Sequence, residues 1–461
     1  MNEQVIGKEN PLGTERIGKL MLRYAIPSII SLVVNSLYNM VDQIFIGQGV
    51  GYLGNAATNV ILPLTTFLLA LGLMVGDGTA AFMSLSLGKG KADEAAHGVG
   101  HAVTLTVGIG IILTVLFELF LQPLCRLFGA TDAVMPYALE YGGIIVLGFA
   151  FSAVDSAFGS ILRADGRPKV SMAGLLIGCI TNIILDPVFI FVFHWGVKGA
   201  AWATIIGQFL NAVFYIGCMF SFKCVKLKKQ HFIPKLRISG KILSLGMSSF
   251  ITQVATVLVV AVMNNVLVKY GAESKYGADI PLATLGITMK VSQLMTGISL
   301  GIATGVQPIY GYNYGGGQYD RVKRTYKLAV ISSTVILVAA FLVFQIFPEQ
   351  IISIFGKESD LYVEFAVKCF RIYLLACFVT GAGGVTNIFF QSIGKPVPAA
   401  LLSLTRQIIL LIPAMLAFGY LMGVEGVLWA GPFSDFLSTA LSMITIGLCW
   451  KGIFKKERKE A

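Results

Sequence analysis

The sequence predicts an all-α polytopic membrane protein, with twelve transmembrane helices arranged as two six-helix lobes related by a pseudo-twofold axis. Three observations predict this class. The 461-residue chain is 56% hydrophobic and 13% charged, with a mean hydropathy of +0.78, whereas a soluble protein is about 25% charged. Apolar runs of about 20 residues, the length that crosses a bilayer as a helix, recur throughout the chain. The two halves of the chain also resemble each other.

The apolar runs place the spans. They use most of the chain and leave no room for a soluble domain. The predicted spans are 20–46, 57–87, 98–121, 138–163, 168–193, 199–221, 241–268, 281–313, 325–347, 365–392, 397–420 and 424–450.

Charge sets the predicted topology. The lobes are expected at 20–221 and 241–450, joined by a loop at 222–240, with an N-terminal segment at 1–19 and a tail at 451–461. Most of the 35 Lys and Arg residues lie in loops on the side that holds this linker and both termini. By the positive-inside rule that side is cytoplasmic. The net charge of +11 then reflects topology, and no nucleic-acid partner is expected.

The internal repeat supports the two-lobe arrangement. Residues 196–209 (GVKGAAWATIIGQF) and 423–436 (GVEGVLWAGPFSDF) share Gly, Val, Gly, Trp, Ala and Phe at an offset of 227. Six helices is an even number, so both repeats have the same topology and the axis runs along the membrane normal, with a cavity between the lobes. This design is typical of a transporter. An enzyme is disfavoured because no nucleophile, base and orienting group recur together.

Several motifs carry a family resemblance. They are LRADGRP at 162–168, Asn182 with Asp186-Pro187, QPIYGYNYG at 307–315, and Gln391 with Lys395-Pro396. They resemble the multidrug and toxic compound extrusion (MATE) family, and most of all its DinF-related, MepA-like branch. The resemblance implies two six-helix lobes in a V and export driven by a cation gradient. It implies no use of ATP, and the sequence has no GxxxxGK[ST] loop.

Ionisable residues inside spans mark candidate sites, since each costs ~2.5–3.5 kcal/mol on insertion scales. Asp42 shares a helix face with Asn35, Tyr38 and Asn39, at spacings of seven, four and three residues. Asn182 and Asp186 share a face of the fifth helix.

Topology places Asp42, Asp186, Asn182, Tyr141 and Thr204 at a similar depth in the outer half of the first lobe. The resemblance implies that this set is the cation-coupling site, where two carboxylates with Asn and Thr oxygens would bind a proton or coordinate Na⁺. In the alternative interpretation, Asp186 caps a helix break before Pro187 and Asp42 faces the outer headgroups.

A substrate cavity is predicted from the remaining embedded polar residues. Asp77 lies between two glycines and could instead satisfy a broken helix locally. The two embedded basic residues, Lys290 and Arg406, could pair with embedded acids or stabilise exposed carbonyls. No metal-ligand pattern is seen among the four His residues. The predicted cavity residues are Asn35, Tyr38, Asn39, Asp155, Asp77 and Lys290.

The resulting functional prediction is an antiporter that exports amphipathic, mainly cationic drugs across the cell membrane. It requires no cofactor beyond an H⁺ or Na⁺ gradient and acts as a monomer within the lipid bilayer. Protons are favoured, because the seventh span has no Asp or Glu and the repeat mates of Asp42 and Asp186 fall near Met263 and Pro413. Na⁺ stays an alternative. A flippase for a lipid-linked oligosaccharide, or a metabolite exporter of the same superfamily, is the rival function.

Overall fold

The computed structural model describes residues 10–233, 235–277, 279–354 and 360–454, which form helices and no strand. Residues 1–9 of the predicted N-terminal segment and 455–461 of the predicted tail lie outside these residues. The first half contains α1 (Pro11–Thr14), α2 (Ile17–Gly49), α3 (Tyr52–Gly88), α4 (Ala92–Leu119), α5 (Leu121–Leu127), α6 (Met135–Leu147), α7 (Phe149–Ala164), α8 (Pro168–Pro187), which continues as a π-helix (Val188–Val192), and α9 (Val197–Met219).

A short 3₁₀ helix (Lys229–Phe232) follows in the linker between the halves. The second half contains α10 (Leu236–Ala272), α11 (Asp279–Gly315), α12 (Tyr319–Ile346), α13 (Pro348–Ile354), α14 (Asp360–Tyr373), α15 (Cys377–Ser392), α16 (Pro396–Leu404), a π-helix (Thr405–Leu411) and α17 (Ile412–Phe454).

The predicted fold class is confirmed. Seven spans are single long helices that are apolar enough to cross a membrane, one of them lengthened by a π-helix. Two spans are bent pairs: α6 and α7 meet at 56°, and α14 and α15 at 46°. Helix α17 is broken at Gly423, where φ is 65° and ψ is −147°, so the chain from α16 onward makes two spans. Helix α11 has 37 residues, which is more than enough to span.

Backbone geometry repeats with the sequence. Gly196 and Gly423, which match in the repeat, have φ values of 58° and 65°. Gly166 and Gly394, also matched, have φ values of 82° and 80°. Positive φ favours glycine because other residues place Cβ too close to the backbone. The matched residues therefore make the same turns before equivalent helices, and the bent pairs occupy equivalent places in the two halves.

The halves pack together through helix pairs at the end of the molecule that carries the basic loops. Helix α2 lies antiparallel to α11, and a Cβ atom on Gly301 would come within 2.7 Å of the Ile29 backbone. Helix α3 lies against α10, where Gly246 touches the Met74 backbone so closely that no side chain fits. Glycine at both positions thus permits a tight seal between the lobes at this end.

The LRADGRP motif ties one lobe together at the same end. The Asp165 carboxylate is fully buried and pairs with Arg167 at 2.8 Å. It also accepts hydrogen bonds from the backbone N–H groups of Lys223 and Cys224 at 3.0 and 2.9 Å. Burial raises the pKa of the Asp165 carboxyl, although these N–H groups and Arg167 act in the opposite direction. The motif fastens the loop before α8 to the chain that leaves α9.

Candidate ion and substrate sites

A pair of carboxyl groups lies inside the first lobe. Asp42 on α2 and Asp186 in the last turn of α8 approach within hydrogen-bonding reach of each other. Asp186 is 0% exposed, and Asp42 Oδ1 is buried with no donor among the described residues. Two ionised carboxylates in contact repel strongly when shielded from water. The pair therefore needs a shared proton or a bound cation.

Asn182 and Thr204 form a hydrogen-bond network beside the pair. With its amide oriented to suit both neighbours, Asn182 donates from nitrogen to Asp186 Oδ2 at 2.8 Å. Its oxygen accepts from the Thr204 backbone N–H at 3.2 Å and from the hydroxyl at 3.1 Å. Both side chains are buried. A neutral amide and a hydroxyl thus hold Asp186 in place without supplying a countercharge.

Two tyrosines flank the carboxyl groups. Tyr141 on α6 is buried, and Tyr38 lies one turn before Asp42 on α2. Both lie close enough to interact electrostatically with Asp42 and Asp186. The structure therefore brings together the five residues predicted for cation coupling, and adds Tyr38 from the predicted cavity.

The polar face of α2 continues from this pair. Its large exposed apolar side chains, including Leu37 and Ile44, recur along one side of the helix, and the polar residues lie on the other. Asn39 is exposed and donates to the Asn35 carbonyl at 2.7 Å. Because α2 contacts α11 at Ala25, Ile29 and Leu32, nearer the basic end, we infer that this face borders a gap between the lobes.

The chain is similar to known proteins over most of its length. The MatE family model matches residues 27–188 and 248–416, more than half of the sequence. The chain belongs to the MatE family. The curated protein "Multidrug export protein MepA" of Staphylococcus haemolyticus (strain JCSC1435) is 25% identical over 436 residues, covering 93% of each chain.

Solved structures match the whole fold of this MatE protein. "Crystal structure of MATE in complex with MaD3S" superposes with a TM-score of 0.90 at 22% identity, covering 96% of this chain and 98% of the other. "Outward-facing conformation of a multidrug resistance MATE family transporter of the MOP superfamily" gives 0.89 at 23% identity, covering 98% of both. The expected family is therefore shown, and the relatives are named as transporters.

A third acid lies elsewhere in the first lobe of this MatE protein. Asp155 on α7 is half-buried, and the Asn211 amide donates a hydrogen bond to its Oδ1. Tyr215 lies near enough to interact with its charge. Asp155 thus has a neutral partner and, among the described residues, no basic one.

Asp77 lies in the seal between the lobes rather than beside the gap. It is 6% exposed and accepts from Ser160 of its own lobe at 2.6 Å and from Ser249 of the other lobe at 2.7 Å. Gln307 of the second lobe donates to its carbonyl at 3.3 Å. This placement differs from the predicted cavity role, because Asp77 falls on the face of α3 that meets α10.

The two embedded basic residues have different surroundings. Arg406 lies in the π-helix before α17 and pairs through Nε with Asp435 Oδ1 at 2.9 Å. Their side chains are 45% and 14% exposed. Lys290 on α11 is exposed, and the part of the chain that the structure describes gives it no acidic partner. Of the two pairings that the sequence left open, the structure shows the one at Arg406.

A polar cluster at the basic end was missed by sequence reasoning. Ligand-type atoms of Asp93, His97 and His231 lie within 4.8 Å of one another. The backbone N–H of Lys228 donates to His231 Nδ1 at 3.0 Å, so Nε2 of the neutral ring carries the proton and donates to Asp93 at 3.0 Å. His97 Nε2 faces the Lys235 ammonium at 3.0 Å.

These bonds use the nitrogen lone pairs that a metal ion would need. The cluster instead docks the inter-lobe linker onto α4. His97 and His231 are 134 residues apart, and nothing in the sequence indicated that they would meet.

Proposed function

We propose that this protein is a cation-coupled exporter of amphipathic, mainly cationic organic compounds, working by alternating access. The observation that carries the proposal is the buried Asp42–Asp186 pair, which has no basic partner among the described residues and adjoins the gap between the lobes. The name of the MepA relative, a multidrug export protein, supports the same class of substrate.

The carboxyl pair supplies the coupling. When both groups are ionised, the pair carries two uncompensated charges and attracts an organic cation from the gap. When a proton or a metal cation occupies the pair, one of the two charges is neutralised, so the attraction weakens and the substrate is released. Tyr38 and Tyr141 offer aromatic faces for a cationic substrate. Ion and drug therefore compete for one negative site, which is the requirement for antiport.

The lobes supply the alternating access. They are sealed at the basic end by the α2–α11 and α3–α10 contacts and by the Asp77–Ser249 hydrogen bond. If the basic end is cytoplasmic, this is the outward-facing state. Breaking the seal would open the cavity to the cytoplasm. A cysteine introduced as Gln230→Cys in the linker, in a Cys-free protein, should then react with an impermeant reagent only after cells are permeabilised.

The second lobe favours a proton as the coupling ion. Helix α10 contains no Asp or Glu between Lys241 and Val268, and the repeat mates of the coupling carboxylates are Met263 and Pro413. Coupling then rests on two carboxylates alone. Such a pair can share a proton, whereas Na⁺ usually takes several oxygen ligands.

Purified protein in proteoliposomes tests the proposal. An inward proton gradient without Na⁺ should drive efflux of a cationic dye such as ethidium in the wild type. The matched control is Asp132→Asn, which changes an exposed carboxylate paired with Arg126 and should leave efflux unchanged. If only a sodium gradient drives efflux, the proton assignment is wrong. If neither gradient does, the exporter itself is contradicted.

A further inference from the structure

The free ammonium group of Lys290 has no role in the coupling site described above. It lies well inside the membrane span formed by α11 (Asp279–Gly315), where an unpaired charge is unfavourable. Embedded basic residues are usually paired, as Arg406 is with Asp435. Lys290 is exposed instead, and no acidic partner is found within the described residues. Its position therefore requires either water or a ligand.

The packing of α11 shows which way Lys290 faces. Added Cβ atoms on Gly305, Gly301 and Gly297 would contact Ala25, Ile29 and Leu32 of α2. These pairs define one antiparallel register. Lys290 precedes Gly297 by seven residues, or two helical turns, and so lies on the same face of α11.

Continuing this register by two turns places Lys290 opposite Asn39 of α2. Both residues are exposed, which shows that the two helices no longer pack tightly at this level. Lys290 therefore projects from the second lobe into the gap between the lobes. Asn39 is three residues from Asp42, so the polar face of α2 that carries the carboxyl pair lies across the gap from the ammonium.

The gap consequently has opposite charges on its two walls. The first lobe contributes Asp42, with the buried Asp186 behind it, and the second contributes Lys290. Arg406 does not balance the acids, because Asp435 already compensates its charge. A purely cationic ligand would be attracted to one wall and repelled by the other. A ligand with a cationic end and an anionic end would match both walls.

We propose that Lys290 is a specificity-determining residue, which recognises the carboxylate of zwitterionic substrates at one wall of a bipolar cavity. The proposal rests on the exporter function proposed above and names the residue that distinguishes zwitterionic from purely cationic substrates. The carboxylate contacts the Lys290 ammonium, and the organic cation faces the first-lobe acids. Between two protein walls the effective dielectric constant is lower than in bulk water, so the ion pair is stronger there than on an open surface.

A matched dye pair tests this directly. Rhodamine 110 is a zwitterion with a free carboxylate at neutral pH, and rhodamine 123 is its methyl ester, which is purely cationic. Binding to purified protein in nanodiscs is measured by fluorescence polarisation, and efflux is measured in proteoliposomes. Lys290→Gln should weaken rhodamine 110 binding on the order of tenfold, as expected when one partner of a partly desolvated charge pair is removed. Rhodamine 123 binding should be unchanged or slightly stronger.

Two control variants separate charge from structure. Lys290→Arg keeps the charge and should retain most of the affinity for rhodamine 110. Lys269→Gln removes an exposed Lys from α10 of the same lobe and should affect neither dye.

Each other outcome contradicts a specific statement. Equal loss of both dyes in Lys290→Gln would show a structural or gating role and overturn the inference. Wild-type protein that exports rhodamine 123 but does not bind rhodamine 110 would also overturn it, while the exporter function would stand. Wild-type protein that exports neither dye would contradict the exporter function and the inference together.

Discussion

The two lobes share one backbone plan but differ in charge at equivalent places. In the first lobe, Asp42 and Asp186 face each other with no countercharge among the described residues. At the matched positions the second lobe has Met263, which is 0% exposed in an apolar cluster, and Pro413. A carboxyl pair of this kind requires a cation from solution, whereas an apolar core requires nothing. Both lobes therefore share one backbone plan, but only the first has a carboxyl pair that needs a cation.

A second difference sharpens the comparison. The repeat mates of Arg406 and Asp435 are Cys179 and Gln208, at the same offset of 227. The second lobe therefore has an internal ion pair at positions where the first lobe has neutral side chains. Since that ion pair compensates itself, it adds no net charge. The difference teaches that the number of embedded ionisable residues does not reveal where coupling occurs. What distinguishes Asp42 and Asp186 from Asp155, which also lacks a basic partner among the described residues, is that two carboxyl groups meet there without a countercharge.

The largest expected effect is the loss of coupling in the first lobe. Asp186→Asn and Asp42→Asn each leave a single carboxyl group, so the site loses the repulsion between two carboxylates that makes it hold a proton. Proton-driven dye efflux should fall to the level of protein-free vesicles, with expression and monodispersity unchanged. Wild-type efflux by either variant would show that the pair is not the coupling site.

A smaller effect is expected for the ion pair of the second lobe. Arg406→Gln leaves Asp435 as an uncompensated embedded charge, which should cost about 1–3 kcal/mol of stability, less than for a fully buried pair because Arg406 is partly exposed. The double variant Arg406→Gln/Asp435→Asn removes both charges and should recover most of this loss. Thermal unfolding in detergent measures both.

The double variant should also keep proton-driven efflux. If it remains folded but loses proton dependence, coupling is shared between the lobes and is not confined to the first.

The smallest effect is expected at the seal between the lobes. Ser249→Ala removes the inter-lobe hydrogen bond to Asp77, worth about 1 kcal/mol, and should shift the population toward opening at the basic end about fivefold. Spin labels introduced as Lys169→Cys and Arg324→Cys, exposed residues of opposite lobes, report the change as longer distances in pulsed EPR. Ser442→Ala, whose hydroxyl bonds within its own helix, is the control. Equal distance distributions in both variants would show that the Asp77–Ser249 hydrogen bond does not help to keep the lobes closed at this end.

Much of the fold could be predicted from the sequence. A continuous apolar run of spanning length has few alternatives to a transmembrane helix. Motifs that recur at nearly the same offset in both halves indicated that the halves are structurally equivalent. The sequence also allowed the prediction that one set of polar residues lies close together: Asp42, Tyr141, Asn182, Asp186 and Thr204. Helix direction and distance along each span give depth, and helical periodicity gives the shared face.

Contacts between helices could not be predicted in the same way. Depth and periodicity placed Asp77 inside a span but did not reveal that its face of α3 meets α10 and Ser249. The docking of His231 on His97 and Asp93 depends on how the linker folds back over α4. Likewise, the sequence left open whether Arg406 or Lys290 would find an acid, because that depends on which faces oppose each other.

The central claim is that the first-lobe carboxyl pair alone exchanges a proton for substrate. It is tested most directly by measuring proton release when a cationic dye is added to purified protein in weakly buffered detergent solution. The wild type and the Arg406→Gln/Asp435→Asn variant should each release about one proton per dye bound when the solution is acidic enough for the pair to hold one. Asp186→Asn should release none while still binding dye. Wild-type proton release from Asp186→Asn would contradict the account.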